Sequence, residues 1–258
     1  MEKETSGNSA YGQLQKRTLP CEACPFQRLP AFCKFTKEEL EFVNQFKIGE
    51  VTLRAGQVLL HEGQSSPHLY TQLTGWMYRQ KTLPDGRRQI LNYTLPGDFV
   101  GMQAAVLKEM QHSVEALTDV RLCVFPREKL WSLYSTQPGL GFDLTWLVSR
   151  EEKMLDDHLL SMGRRSAIER MAYLVMLLHR RVRDVGLLTE GGMELPLNQQ
   201  HVADTLGLSI VHTNKTLRKL YDLGVISWRQ RTLKVLKEAE LARIARFEES
   251  RKQLRPFI

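Results

Sequence analysis

Apolar positions along the chain change their period twice, and each change marks a boundary. From Lys47 to Pro126 they fall in short runs: Val51-Thr-Leu, Val58-Leu-Leu, Leu69-Tyr-Thr-Gln-Leu, Gln89-Ile-Leu-Asn-Tyr and Val120-Arg-Leu-Cys-Val-Phe. Turn signals divide them at Ala55-Gly56, Glu62-Gly63, Pro84-Asp85-Gly86 and Pro96-Gly97-Asp98. Short strands at that spacing predict an antiparallel sandwich or barrel. Ahead of them, Thr36 followed three residues later by Glu39 forms a capping box, and Leu40, Val43 and Phe46 give a short helix one apolar face.

After Pro126 the pattern becomes helical, with a short helix near Glu128 to Tyr134 and a long one from Pro138 to Met162. In the long helix Leu140, Leu144, Leu147 and Met154 recur at heptad spacing, and Glu151 and His158 complete the stripe. Such a stripe is a dimer seam or an intramolecular core. The preceding β-domain is already complete, so the dimer seam is the preferred reading, with the two polar positions fixing register. His158 is read as a packed seam residue without a catalytic role. Gly163-Arg164-Arg165-Ser166 then breaks the helix and caps the next, Ala167 to Val185, whose apolar face carries Met171, Leu174, Val175, Leu178 and Val182.

The strongest local signal lies between Leu197 and Ser227. Asn198 caps a short helix, Gln199 to Leu206; Gly207-Leu208-Ser209 makes a tight turn; Ile210 to Leu223 forms a second helix ending at Gly224. Helix, glycine turn and helix at this spacing is the helix-turn-helix of DNA readers. Val225 to Trp228 and Leu233 to Leu236, joined by Arg229-Gln230-Arg231-Thr232, read as a two-stranded basic wing. The first residues of the second helix must reach base edges, and Ser209, His212, Asn214, Lys215 and Arg218 carry groups that can donate or accept there. Each well-placed bidentate contact is worth about 1 to 3 kcal/mol of discrimination. Val211 can only pack, on a thymine methyl or on its own domain, while Asn198 and Gln200 are placed at the DNA backbone, where they would fix register.

Charge supports that division. The 258 residues carry +7 overall, but Gly163 to Ile258 holds 18 Lys and Arg against 10 Asp and Glu, whereas the rest is near neutral. A basic domain joined to a neutral one fits polyanion binding, although a solvated basic surface would look the same on charge alone. The expected organisation is α+β: a polar tail over 1–20, a β-domain with its cysteine segment over 21–136, the long helix over 137–163 and a DNA-binding domain over 164–258. No apolar stretch reaches the roughly 18 residues of a membrane span, and the polar start lacks a signal-peptide core, so a cytoplasmic location is expected. Four cysteines in such a chain, Cys21, Cys24, Cys33 and Cys123, read as metal ligands or redox sensors rather than a disulfide framework. There is no nucleophile–base pairing, no His-x-x-x-His motif and no phosphate loop, so an enzyme is not expected.

Four segments together resemble the CRP/FNR superfamily of bacterial transcription regulators, from about Cys21 to Leu241. They are Pro96-Gly97-Asp98-Phe99-Val100-Gly101, the strand Arg121 to Pro126, the stretch Arg164-Arg165-Ser166-Ala167-Ile168-Glu169-Arg170, and the run from Leu197 to Ser209. The resemblance implies a cyclic-nucleotide-binding-type β-roll, a dimerisation helix and a winged helix-turn-helix on palindromic operator DNA, with RNA polymerase as a further partner. In the cyclic-AMP branch a Glu after the Pro-Gly-Asp turn and an Arg-Ser pair hold the phosphate. Here Met102 and His112-Ser113 stand there, which removes the charge-assisted contacts an anionic ligand needs, and no cyclic nucleotide is expected. The FNR branch instead ligates a 4Fe-4S cluster through three N-terminal cysteines and one in the roll. Cys21, Cys24, Cys33 and Cys123 match that arrangement, one thiolate per iron, with the third spacing somewhat longer than in the best-known members. A thiol switch, zinc and purely structural cysteines remain the other readings, and the alternative function is a regulator of the same architecture without a cluster that senses a small ligand or, through its thiols, redox state. The implied mechanism is that the intact cluster favours the dimer and exposes the reading helices, and that oxygen or nitric oxide dismantles it. Members that read a TTGA-type half-site carry Glu and Arg where Val211 and Lys215 stand here, so that half-site is not carried over; the Val-His-x-Asn-Lys pattern resembles that of an alphaproteobacterial subgroup.

Overall fold

Two antiparallel sheets grow out of the apolar runs. The computed structural model describes residues 14–15, 19–248 and 253–258. After α1 (Lys37–Phe46), capped by Thr36 and Glu39 as the box predicts, the strands are β1 (Gly49–Leu53), β2 (Val58–Leu60), β3 (His68–Thr74), β4 (Met77–Thr82), β5 (Arg88–Thr94), β6 (Phe99–Val100), β7 (Ser113–Ala116) and β8 (Val120–Pro126), with α2 (Met102–Leu107) between β6 and β7. One sheet runs β1-β8-β3-β6 and the other β2-β7-β4-β5. The predicted runs all became strands; β4, β6, β7 and α2 are additional. Of the expected tail, 1–13 and 16–18 lie outside the described residues, while Gln15 bridges to Glu50.

Alternation along β8 explains how the roll is layered. Val120, Leu122 and Val124 face inward, where they meet Val51, Leu53, Tyr70 and Met77 in the core between the sheets. Cys123 and Phe125 face the other way and join a second apolar layer with Leu69, Leu73, Val43 and Phe46. Side chains of a strand alternate between faces, so a strand buried on both sides must be apolar throughout. That second layer is covered by the cysteine segment, α1, α3 (Leu130–Thr136) and α4 (Pro138–Arg164).

The long helix runs two residues further than expected and stops at Arg165; Gly163 lies inside it. Its heptad stripe faces its own chain. Leu140 and Leu144 are fully buried and Leu147 nearly so, all in the second layer. Glu151 accepts from Arg79 at 2.5 Å and from Asn92 at 2.9 Å, Met154 lines an intramolecular cavity, and His158 lies 3.3 Å from the Gln89 amide. For Leu140, Leu144 and Leu147 the dimer-seam reading is therefore corrected: they form the intramolecular core that heptad spacing equally permits, because the outer face of the first sheet needs a cover, while Glu151, Met154 and His158 are half-buried with neighbours in the same chain. Another face of α4 remains open, with Phe142, Val148, Leu155 and Leu159 exposed.

The DNA-binding domain comprises α5 (Ala167–Asp184), β9 (Met193–Glu194), α6 (Gln199–Leu206), α7 (Ile210–Asp222), β10 (Ile226–Arg229), β11 (Thr232–Val235) and α8 (Glu238–Ala245). A capping box of Ser166 and Glu169 starts α5. The wing pairs β10 with β11 as expected, and β9 adds a third strand. Ile90, Tyr93 and Leu95 of the roll share one core with α5 and α6. Residues 253–258, counted by sequence with this domain, pack instead beside the cysteines, with Phe257 and Ile258 buried in the second layer.

One carboxylate ties these parts together. Asp98, fully buried in the Pro96-Gly97-Asp98 turn, accepts from the Leu95 amide at 2.7 Å, from Arg150 of α4 at 3.3 Å, from Arg181 of α5 and from Arg255. Burial alone would raise its pKa, but the Arg181, Arg255 and Arg150 guanidiniums hold it well below the usual carboxylate range. Asp98→Asn is expected to lower unfolding stability by about 3 to 5 kcal/mol, since it strands buried guanidiniums; a urea midpoint close to that of the parent chain would refute this. A second buried group titrates in the opposite sense. Burial, with Arg79 and Lys81 behind it, pushes the His112 imidazole down to about 3. The folded chain thus keeps His112 neutral while the unfolded chain takes up a proton below about pH 6.5, so stability falls as pH drops from there toward 3, by up to about 1.4 kcal/mol per unit. His112→Gln should flatten that acid slope in urea titrations across pH 4 to 7, and an unchanged slope would count against it.

Candidate DNA-reading interface and thiol recess

The reading helix is set by caps at both ends of its turn. The Asn198 side chain accepts from the His201 amide at 2.8 Å and starts α6. Gly207 ends it in the left-handed conformation at φ 62, and a Cβ there would stand 2.4 Å from Met162 Cε, so the turn requires glycine twice over. Ser209 then accepts from the His212 amide at 3.2 Å and starts α7. Thr213, Thr216, Leu217 and Leu220 point inward, which leaves Val211, His212, Lys215 and Arg218 exposed on one face. Val211 thus faces solvent rather than its domain's core.

Not every predicted contact is free. Asn198 is occupied as a cap, Gln200 donates to Asp204 at 2.5 Å, and half-buried Asn214 donates to Gln199 at 3.0 Å. Gln199, which sequence reasoning missed, therefore orients one of the base-reading candidates; its place directly after the cap was the only signal. Arg218 lies 3.5 Å from Asp222, both well exposed, a pair that salt or a phosphate can readily displace. The cationic face continues into Arg229 and Arg231 beside the wing turn. Helix α6 is docked on the roll: Asp204 pairs with Arg88 at 2.6 Å, and Thr205 bonds Tyr93 at 2.6 Å.

The cysteines occupy the second layer. Cys21 and Cys24 come from a pair of short 3-10 turns, Cys21–Ala23 and Pro25–Arg28, and Cys123 comes from the middle of β8, opposite Glu50 and Thr71 on its two neighbours. Together they line a small recess with Thr71, Phe257 and Ile258 among its walls. Asn44 accepts from the Cys21 amide at 3.1 Å and fixes that end of the loop. Burial pushes the thiols of Cys21 and Cys123 up, to about 11 and about 12, and raises Cys24 as well; Lys47, paired with buried Glu50 at 2.7 Å, opposes the rise. Thiols raised in this way are poor nucleophiles.

Cys33 stands apart from the other three. It follows Phe32, whose ring stacks on Phe26 at 5.1 Å and lies 2.7 Å from where a Gly97 Cβ would be. Its amide donates to the Arg255 carbonyl at 2.9 Å, and its thiol, raised first by burial, feels the charges of Asp143 and Glu39. Three of the four predicted ligands thus share one recess. Among the described residues no group of three or more His, Cys, Asp or Glu is arranged to hold a metal ion. Met102 opens α2 half-buried against the second layer, and His112 is buried and neutral, so neither offers a charge where the phosphate-holding residues of the cyclic-AMP branch would stand. No helix among the described residues is long and apolar enough to cross a membrane.

Comparison with known proteins agrees with this architecture. Residues 50–137 match the family model of the cyclic nucleotide-binding domain, and residues 169–244 that of the Crp-like helix-turn-helix domain. The chain is 33% identical over 180 residues to the nitrogen fixation regulation protein FixK of Bradyrhizobium diazoefficiens, covering 69% of this chain and 73% of that one. It is 29% identical over 210 residues to the transcriptional activator protein FnrL of Cereibacter sphaeroides, covering 80% and 84%. The solved structure of FixK2 from Bradyrhizobium japonicum superposes with a TM-score of 0.69 at 26% identity, covering 76% of this chain and 96% of that one. Both domain models match, and the likeness to these relatives extends over most of their length: the chain belongs to the CRP/FNR family of DNA-binding transcription regulators.

Proposed function

We propose that this regulator acts as a homodimer on palindromic operator DNA, works through RNA polymerase, and is controlled by an oxygen- or redox-sensitive iron–sulfur cluster held by Cys21, Cys24, Cys33 and Cys123. The observation that carries the cluster reading is the meeting of Cys21, Cys24 and Cys123, from distant parts of the chain, around one apolar recess. Their donors suit the group: soft thiolates in a water-poor pocket favour iron–sulfur chemistry. An iron–sulfur cluster supplies an electron-rich centre that oxygen or nitric oxide can dismantle. Cys33 completes the donor set only if the loop after Pro25 moves. A cyclic nucleotide is not proposed, because a neutral His112 and Met102 cannot bind its phosphate.

A dimer uses the face of α4 that the roll leaves uncovered. Val148, Glu152, Leu155 and Leu159 recur there at heptad spacing, one position out of phase with the buried stripe. Two α7 helices held by such a seam would read half-sites one helical turn apart, which is why the operator should be palindromic.

Protein purified under strict anaerobiosis is expected to be brown, to contain about four iron and four sulfide per chain, and to shift operator DNA in a gel until air bleaches it; Cys123→Ala should be colourless. Colourless, iron-free parent protein under those conditions would sink the cluster and leave a regulator of the same architecture without one. Leu159→Asp, on a side chain that is 72% exposed in a single chain, should fold normally yet sediment as a monomer and lose operator affinity by at least about tenfold, because the second half-site contact is lost. An unchanged sedimentation coefficient would reject the α4 face as the seam.

A further inference from the structure

Residues 253–258 pack beside the cysteine loop on the second layer of the roll, and the contacts are built rather than incidental. The Arg255 backbone bridges the cysteine loop in both directions, its amide donating to Ala31 at 2.8 Å and its carbonyl accepting from Cys33 at 2.9 Å. Its guanidinium is buried against Asp98, in reach of the same carboxylate that holds Arg181 of α5. Phe257 sits among three rings, 5.5 Å from Phe26, 5.6 Å from Phe32 and 4.5 Å from Phe35. Ile258 accepts from the Thr71 hydroxyl and walls the thiol recess with Phe257.

We propose that segment 253–258 is an intramolecular latch: it closes the recess that holds Cys21, Cys24 and Cys123 and, through Arg255 on Asp98, ties that closure to the seating of the DNA-binding domain. Two features argue for a latch rather than inert packing. Among the described residues the backbone of 253–258 makes no strand ladder: Arg255 bridges the cysteine loop and the Ile258 carbonyl accepts from the Thr71 side chain, so the segment can leave without breaking a sheet. Its side chains reach both functional regions at once, since Phe257 and Ile258 touch the thiol recess while Arg255 shares a carboxylate with α5. Because closure covers the thiols, a modification too bulky for the closed recess biases the segment outward, and release of the segment favours that modification by the same factor. The latch itself does not depend on the iron–sulfur reading, because it concerns the thiols of the cluster-free chain.

The test compares full-length, cluster-free parent chain with Phe257→Ser and Phe257→Leu, following iodoacetamide labelling of each cysteine by mass spectrometry. Phe257→Ser is expected to speed labelling of Cys21, Cys24 and Cys123 by at least about tenfold, the population shift a lost apolar anchor of this size produces, while Phe257→Leu stays within a factor of about three and Cys33 changes least. Equal rates at Cys21 and Cys123 in parent and Phe257→Ser would overturn the latch. A readout that needs no variant is hydrogen exchange on the parent protein: the Arg255 amide should be protected, and labelling of the recess cysteines should abolish that protection. Free exchange of that amide in the unlabelled protein, or protection that survives labelling, would overturn it equally.

Discussion

The carboxylate of Asp98 is the constraint on which the arrangement of this chain depends. A carboxylate with no exposed surface is tolerable only if opposite charge and donors surround it, and here they come from four places: the turn's own Leu95 amide, α4, α5 and the segment that carries Arg255. A second ion pair lies on the same helix, where half-buried Glu151 accepts from Arg79 and Asn92. Sensory roll, long helix and DNA-binding domain therefore share an ion network in which no arginine can leave without changing the solvation of the others. Gly97 belongs to the same constraint: at φ 85 it makes the turn and lets the Phe32 ring lie against the backbone.

Layering of the roll follows from β8. As a central strand it is paired on both edges, and its residues are buried on both faces, so Cys123 was legible as a buried strand residue but not as a member of the layer that meets α1 and α4. The difference matters for function. A cysteine in the core between the sheets could not meet residues 21 and 24; one on the outer face can.

Much of the architecture could be read from the residues. The capping boxes at Thr36 and Ser166, the Asn198 and Ser209 caps and the glycine at 207 are local chemistry, and each element stands where its cap puts it. What escaped depends on distance. Strand β4 reads as polar because its second half is exposed, while β6 and β9 are two-residue pairings that only the fold creates. The α4 stripe was seen but assigned to the wrong partner: the helix carries two apolar faces, and periodicity says nothing about which one the chain itself consumes. Phe257 and Ile258 offered an apolar pair near a run of charge, but no local rule could send them to Cys21 and Cys24, more than two hundred positions earlier.

The anchoring of the cysteines also fixes how the site can change. Cys123 cannot move without breaking the ladder on both sides of β8, and Cys21 is held through its amide by Asn44 on α1. Cys33 is bound differently: its amide partner is Arg255, and its neighbour Phe32 is pinned between Phe26, Phe257 and Gly97. Any rearrangement that gathers the four thiols must therefore be carried by the loop from Pro25 to Cys33, the stretch that residues 253–258 hold from outside. Since Arg255 and Arg181 share Asp98, a movement of that loop cannot stay local: it alters the charge that seats α5, and α5 carries the core on which α6 and the reading helix rest.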